Sequence, residues 1–239
     1  MQVKIILGVV LVLLAVVVGR AAILSTASVR YRLTIDVKVD GTIKSGSSVM
    51  EVVYSTASQF MCTLGSCGSG VSSIAGTAVT IDLGEKGLLF ATLRESSLPN
   101  TPDIPICFYE PIACLPFVAY GIAYQSRSDL RATAIRELQS RSGRVDAPSN
   151  VLPALVRFRD ISDPSSDEEV VAANMAATYG PGVSFVRATV ELTDAPLAPV
   201  PKIWPDWLKS LVDGPANCLI GSREDCKDRL GLHNWDFKR

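Results

Sequence analysis

From Val29 to Val39 the chain reads Val-Arg-Tyr-Arg-Leu-Thr-Ile-Asp-Val-Lys-Val, and apolar and polar side chains alternate without a slip. Val29, Tyr31, Leu33, Ile35, Val37 and Val39 share one face; Arg30, Arg32, Thr34, Asp36 and Lys38 share the other. A period of two places successive side chains on opposite sides of a strand, so this stretch predicts a half-buried β-strand. Asp40-Gly41 follows, a dipeptide suited to a tight hairpin turn. The β-rich return from Ile43 to Tyr54 completes a long antiparallel hairpin, in which Arg30 and Arg32 can face Glu51. A second hairpin is expected from Gly76–Leu83, the turn Gly84–Gly87 and the return Leu88–Leu93.

The ends of this unit carry the clues to location. Lys4 precedes a run from Ile5 to Val18 that contains no polar side chain. Read as an uncleaved anchor, the segment 5–24 supplies roughly 20 residues, enough to span a bilayer, with Arg20 reaching the far interface. Read as a signal peptide, Ser25-Thr26-Ala27 is its small-residue cleavage site. The lipid bilayer is the partner expected for residues 5–24. Arg20, Arg30 and Arg32 follow the run, which by the positive-inside rule would hold the body in the cytoplasm.

The cysteines argue for the opposite side. Six are present, in three close pairs: Cys62 with Cys67, Cys107 with Cys114, and Cys218 with Cys226. An even, locally paired set behind an export segment is expected of an oxidising compartment. Each short loop would contribute about 2–3 kcal/mol on the chain-entropy account. The gaps are uneven and mostly too long for zinc, and no Cys-x-x-Cys is present for redox chemistry. We expect no metal and no cofactor.

Charge and composition narrow the function. Lys and Arg number 23 against 24 Asp and Glu, so the basic surplus that phosphate binding requires is missing and nucleic acid is not expected as a partner. The single histidine, His233, excludes any site built on two imidazoles. Hydrophobic residues make up 48%, enough for a packed core. Leu64-Gly-Ser-Cys-Gly-Ser-Gly70 departs from a nucleophile elbow: the second glycine is displaced and no helix pattern follows. The stretch Thr56–Ile74 reads as a loop. The five prolines between Ser96 and Phe117 argue against regular structure there.

The second half alternates between types. Ser128–Arg141 predicts a helix capped by Ser128, with Leu130, Ala134, Ile135 and Leu138 inward and Glu137–Arg141 as a solvated pair. Ala154–Asp160 predicts a strand. A helix capped by Ser165 or Ser166 and running to Tyr179 follows, then a strand Val183–Thr193 with Val186, Ala188, Val190 and Leu192 inward. After the Pro-rich stretch 195–205, Ile203–Val212 predicts a short amphipathic helix with Ile203, Trp204, Trp207, Leu208 and Leu211 on one face. Trp204 and Trp207 are candidates for partner or membrane contact, against the alternative of docking on the domain's own sheet. The tail 221–239 alternates in charge and is expected on the surface.

Three stretches carry a resemblance: Arg32-Leu-Thr-Ile-Asp-Val37; Gly46-Ser-Ser-Val-Met-Glu-Val52; and Leu155-Val-Arg-Phe-Arg-Asp160 and Asp163-Pro164 with Tyr179-Gly-Pro-Gly-Val-Ser-Phe-Val-Arg-Ala-Thr-Val-Glu-Leu-Thr193. On these the chain resembles an uncharacterised family of proteobacterial envelope proteins with an N-terminal hydrophobic segment. The resemblance covers most of 29–210. It implies a Gram-negative envelope location and brings no catalytic residue.

The expected architecture is α+β. An N-terminal transmembrane or signal helix (1–27) precedes a domain (28–194) of antiparallel hairpins and a strand-helix-strand unit in one mixed sheet. A tether, Trp helix and tail (195–239) follow. The expected protein is a single-pass inner-membrane or exported envelope protein with its body in the periplasm. Its expected role is non-enzymatic binding or structure, with an envelope protein as partner. The competing enzyme reading, an envelope hydrolase, requires Glu110 or Asp160 to converge with Ser66 or Ser69.

Overall fold

The computed structural model describes residues 24–94, 96, 110–212 and 232–239. The hairpin is present as patterned, with β1 (Leu24–Val39) and β2 (Thr42–Ala57) joined at Asp40-Gly41. Asp40 and Gly41 have φ of 47° and 87°. Positive φ at both central positions matches the turn to the twist of the strands, and glycine adopts it without steric cost. All six inward residues of β1 are buried. Arg30 lies opposite Glu51 in register and pairs with it at 3.0 Å; Arg32 instead reaches Glu191 at 3.4 Å. β1 begins at Leu24, paired with Ala57, so residues 24–27 are paired in the sheet. The rest of the expected N-terminal helix lies outside the described residues.

The remaining strands are β3 (Ser69–Ala75), β4 (Val79–Asp82), β5 (Leu88–Ala91), β6 (Arg144–Ala147), β7 (Leu155–Phe158), β8 (Asp167–Glu169) and β9 (Val183–Leu192). The helices among the described residues are α1 (Gln59–Thr63), α2 (Pro111–Ala119), α3 (Ser128–Gln139), α4 (Met175–Tyr179) and α5 (Asp206–Val212). The α+β class stands, but the single mixed sheet does not. One antiparallel sheet runs β3-β2-β1-β9-β6 and a second runs β4-β5-β7-β8. β7 and β9, expected as the two strands of a strand-helix-strand unit in one sheet, belong to different sheets.

The expected long helix after Asp163 is broken into pieces. Asp163 caps only a single turn, its carboxylate accepting from Ser165 N–H at 2.8 Å. The acids behind it then enter β8, where Glu168 stands opposite Arg157 and is bonded to it. Cross-strand pairing therefore wins over the capping signal. Thr56–Ile74, expected as a loop, contains α1 and β3. Val186, expected inward, sits at a bulge where Asp36 pairs with Arg187 and Val37 with Phe185. The bulge turns Val186 out and brings Phe185 against the core.

The second sheet is covered on both faces. Val79, Ile81, Leu89 and Leu155 join the main core under β1 and β2. Ala78, Phe90, Val156 and Phe158 face a second core with Trp204, Leu208, Leu232 and Phe237. The described end of the tail, Leu232–Arg239, expected on the surface, instead packs on this sheet. Gly76 and Arg239 exchange both backbone bonds, and Ala78 N–H donates to Phe237 O at 2.7 Å. Burial pushes the Asp236 carboxyl up from its ordinary value.

Candidate functional site

Two buried phenol hydroxyls meet the backbone of α2. This helix forms despite the prolines: Pro111 occupies its first turn, where no N–H is needed. Pro116 lies inside it and leaves Ile112 O without the N–H that a helix would supply from position 116. Tyr31, from the centre of β1, donates its hydroxyl to Ile112 O at 2.7 Å, and Tyr54 donates to Ala113 O at 2.7 Å. Both phenols are buried, and burial raises both pKa values, so they remain protonated donors. Replacing Tyr31 by Phe strips the buried Ile112 carbonyl of its donor. We expect a loss of about 1–3 kcal/mol in urea unfolding of the full chain in mild detergent. A loss within measurement error would mean that another donor reaches Ile112 O.

Beside α2, the loop after β2 is pinned to the start of α3. Ser128 does not cap α3; it is the first helical residue. Its hydroxyl accepts from Ala57 N–H at 2.6 Å and donates to Gly68 O, while Ser128 N–H donates to Cys67 O at 3.1 Å. The loop between is closed by the Cys62–Cys67 disulfide. Cys114 on α2 is also disulfide-bonded. Cys107, Cys218 and Cys226 lie outside the described residues. A cleft of about 480 Å³ opens between the disulfide loop and α3, lined by Thr56, Ser58, Cys62, Asp129, Thr133 and Arg136 among others.

Behind the cleft wall lies Arg131, 1% exposed. It was not legible as a core residue by type, yet Arg131, Ala134, Ile135 and Leu138 follow the i, i+3, i+4, i+7 pattern of a buried face. Leu130, expected inward, is exposed. The Arg131 guanidinium sits 4.1 Å from the Tyr124 ring centroid, donates from Nε to Gln125 O, and approaches Glu110 Oε2 to 3.9 Å. Tyr124 donates to the same carboxylate. Burial, and then the bond to Glu110, hold the Tyr124 phenol well above its ordinary pKa. A phenol kept protonated offers no base at neutral pH, so the trio can hold the α2–α3 corner and hydrogen-bond, but cannot supply a phenolate nucleophile.

The residues named in the hydrolase reading each have their own partner among the described residues. Glu110 bonds Tyr124, Asp160 accepts from Ser162 at 2.6 Å, Ser69 donates to Ser126 O, and no hydrogen bond joins these groups or Ser66 to one another. Trp204 is 2% exposed and donates from Nε1 to Thr80 Oγ1 at 2.6 Å, in the second core. Trp207 stands edge-on to Phe158, 5.2 Å between centroids, and donates to Ile161 O. The docking of this segment on the domain's own sheet is what the structure contains. Trp204 precedes α5 and Ile203 points outward, so the expected single apolar face is divided.

Among the described residues, nothing covers the outer face of the five-stranded sheet. Here Arg32 and Arg144 flank Glu191 at 3.4 and 3.3 Å, and Arg187 grips Asp36 at 2.8 Å. Ser45 donates to the same Asp36 at 2.6 Å. Burial pushes the Asp36 carboxyl up, but the Ser45 and Arg187 bonds outweigh it and hold the group below its ordinary value. Thr34 lies between Ser47 and Thr189 across the same face. Among the described residues no cluster of three or more His, Cys, Asp or Glu is placed to hold a metal. Comparison with known proteins finds no matching family model, curated protein or solved structure.

Proposed function

We propose that the chain is a membrane-anchored or exported envelope protein whose body is a non-enzymatic binding or structural module in an oxidising compartment. The observation that carries this reading is the disulfide across the Cys62–Cys67 loop, with Cys114 bonded as well. Disulfides persist where thiols are not continuously reduced. The start of β1 at Leu24 supports it, because the apolar run of residues 5–18 leads into the sheet with only a few residues between. The surface offered to an envelope protein partner is the outer face of the five-stranded sheet. Its charges are paired laterally, so a partner is recognised through exchange of hydrogen bonds rather than through one net charge.

The test is thiol labelling of intact cells and of the isolated full chain, with and without reductant. The expected result is no labelling of the native protein at Cys62 and Cys67, and labelling of both after reduction. Labelling of these cysteines without reductant would remove the compartment from under the proposal.

A further inference from the structure

We infer that the disulfide-closed end of the domain is a lipid-contact surface, seated on the bilayer that holds residues 5–23; the inference rests on the anchored reading above. The argument begins with chain continuity. Leu24 is already in the sheet, opposite Ala57. The end of the hairpin that carries Ala57, α1 and the Cys62–Cys67 loop is therefore the end at which the apolar run arrives. If residues 5–23 formed a helix, it would be about 28 Å long, close to the thickness of a hydrocarbon core. In sequence only the five residues 19–23 separate the apolar run 5–18 from Leu24.

This end also presents apolar side chains to solvent. Leu64 is 65% exposed and Leu130 46% exposed. They lie on two segments that the Ser128 bonds to Ala57 and Gly68 hold together. Leu64 sits inside the disulfide loop, so its presentation does not depend on packing against the core. The charges around them favour an anionic surface slightly. Asp129 holds Arg127 at 3.2 Å and Glu137 holds Arg141 at 2.7 Å. Arg136 donates to Ala132 O and Thr133 Oγ1 beside the cleft, and its charge is the surplus. Leucines at the acyl boundary with a cation at phosphate level is the arrangement of an interfacial contact. The opposite end of the hairpin provides an internal reference. Ile43, 51% exposed, follows the Asp40-Gly41 turn. It stands up to about 50 Å from Leu24 along strands that rise about 3.3 Å per residue.

The experiment places benzoylphenylalanine at position 64, 130 or 43 of the full chain, reconstituted in vesicles of zwitterionic and anionic phospholipid, and irradiates. Lipid adducts are expected at 64 and 130 and not at 43. Hydroxyl-radical labelling of the unmodified chain in the same vesicles is a second readout, with Leu64 and Leu130 expected to react severalfold more slowly than Ile43. Equal labelling of the three, or adducts to protein instead of lipid at 64 and 130, overturns the inference. An alkaline wash separates the two readings. A chain that stays in the membrane without lipid adducts loses only the seating. A chain that the wash releases loses the anchor, and the seating with it.

Discussion

Gly46→Ala should destabilise the domain by at least about 3 kcal/mol, or prevent its folding, although alanine adds one methyl group to an exposed-looking serine-rich strand. A Cβ at Gly46 would stand 2.2 Å from Thr80 O and 2.8 Å from both Thr80 C and Ile81 Cγ1. The clash is with backbone of β4, which has no rotamer by which to withdraw. Gly46 is where β2 of the first sheet passes against β4 of the second, and only a residue without a side chain allows that approach. Relief would require the sheets to part over Ile81 and Leu33, both fully buried in the shared core. Gly70→Ala, also in an exposed-type Ser/Gly segment, is the control. Its Cβ would meet only Ser55 Oγ at 3.6 Å, so a change within about 1 kcal/mol is expected. Urea midpoints of the two variants decide the matter; equal midpoints would show that β2 and β4 do not cross at this distance.

The second large effect is expected at the C-terminal tail. Phe237→Ala should cost about 3–5 kcal/mol, the range for truncating a buried aromatic. Phe237 packs edge-on to Phe90 at 5.4 Å and to Trp204 at 6.0 Å, and stacks on Phe158 at 6.1 Å. Its loss opens a cavity beneath Trp204, so the native tryptophan emission should shift red before global unfolding. Trp235→Ala, two residues away, removes a side chain that stacks on His233 at 4.4 Å and is 39% exposed. Its cost should stay below about 1 kcal/mol. A Phe237→Ala variant as stable as Trp235→Ala would return the tail to the surface.

These two sites mark where sequence reading stops. The β1–β2 hairpin was legible in its turn and its facing, because alternation and the Asp40-Gly41 turn are local properties of the chain, although the strands run further, to Leu24 and Ala57. The β4–β5 hairpin was legible for the same reason. The Arg30–Glu51 pair followed from register alone. Arg131 was hidden, because a charged residue is assigned to solvent by type and only Tyr124, Gln125 and Glu110 make its burial tolerable. The α2 helix was hidden behind its prolines. Its interior Pro116 is tolerated because Tyr31, distant in sequence, serves the carbonyl left open at Ile112. The role of Ser128 was misplaced for a related reason. As a local cap it competes with Gly68 and Ala57, whose approach depends on β2 and β3 being paired first.

The candidate functional surfaces divide in the same way. The apolar run of residues 5–18 and the close cysteine pairs are readable in one dimension, since bilayer span and loop closure depend on length along the chain. The fate of Trp204 and Phe237 is not. An aromatic on a short amphipathic segment looks the same whether it meets a partner, a bilayer or its own sheet. The sequence by itself determined the β1–β2 and β4–β5 hairpins, their facing and their turns, because steric alternation acts between neighbours. Only the tertiary structure decided that there are two sheets, that the second is covered on both faces, and that Leu64 and Leu130 rather than Trp204 are left uncovered. Those outcomes depend on which apolar surfaces find one another across long separations, and burial free energy is indifferent to sequence order.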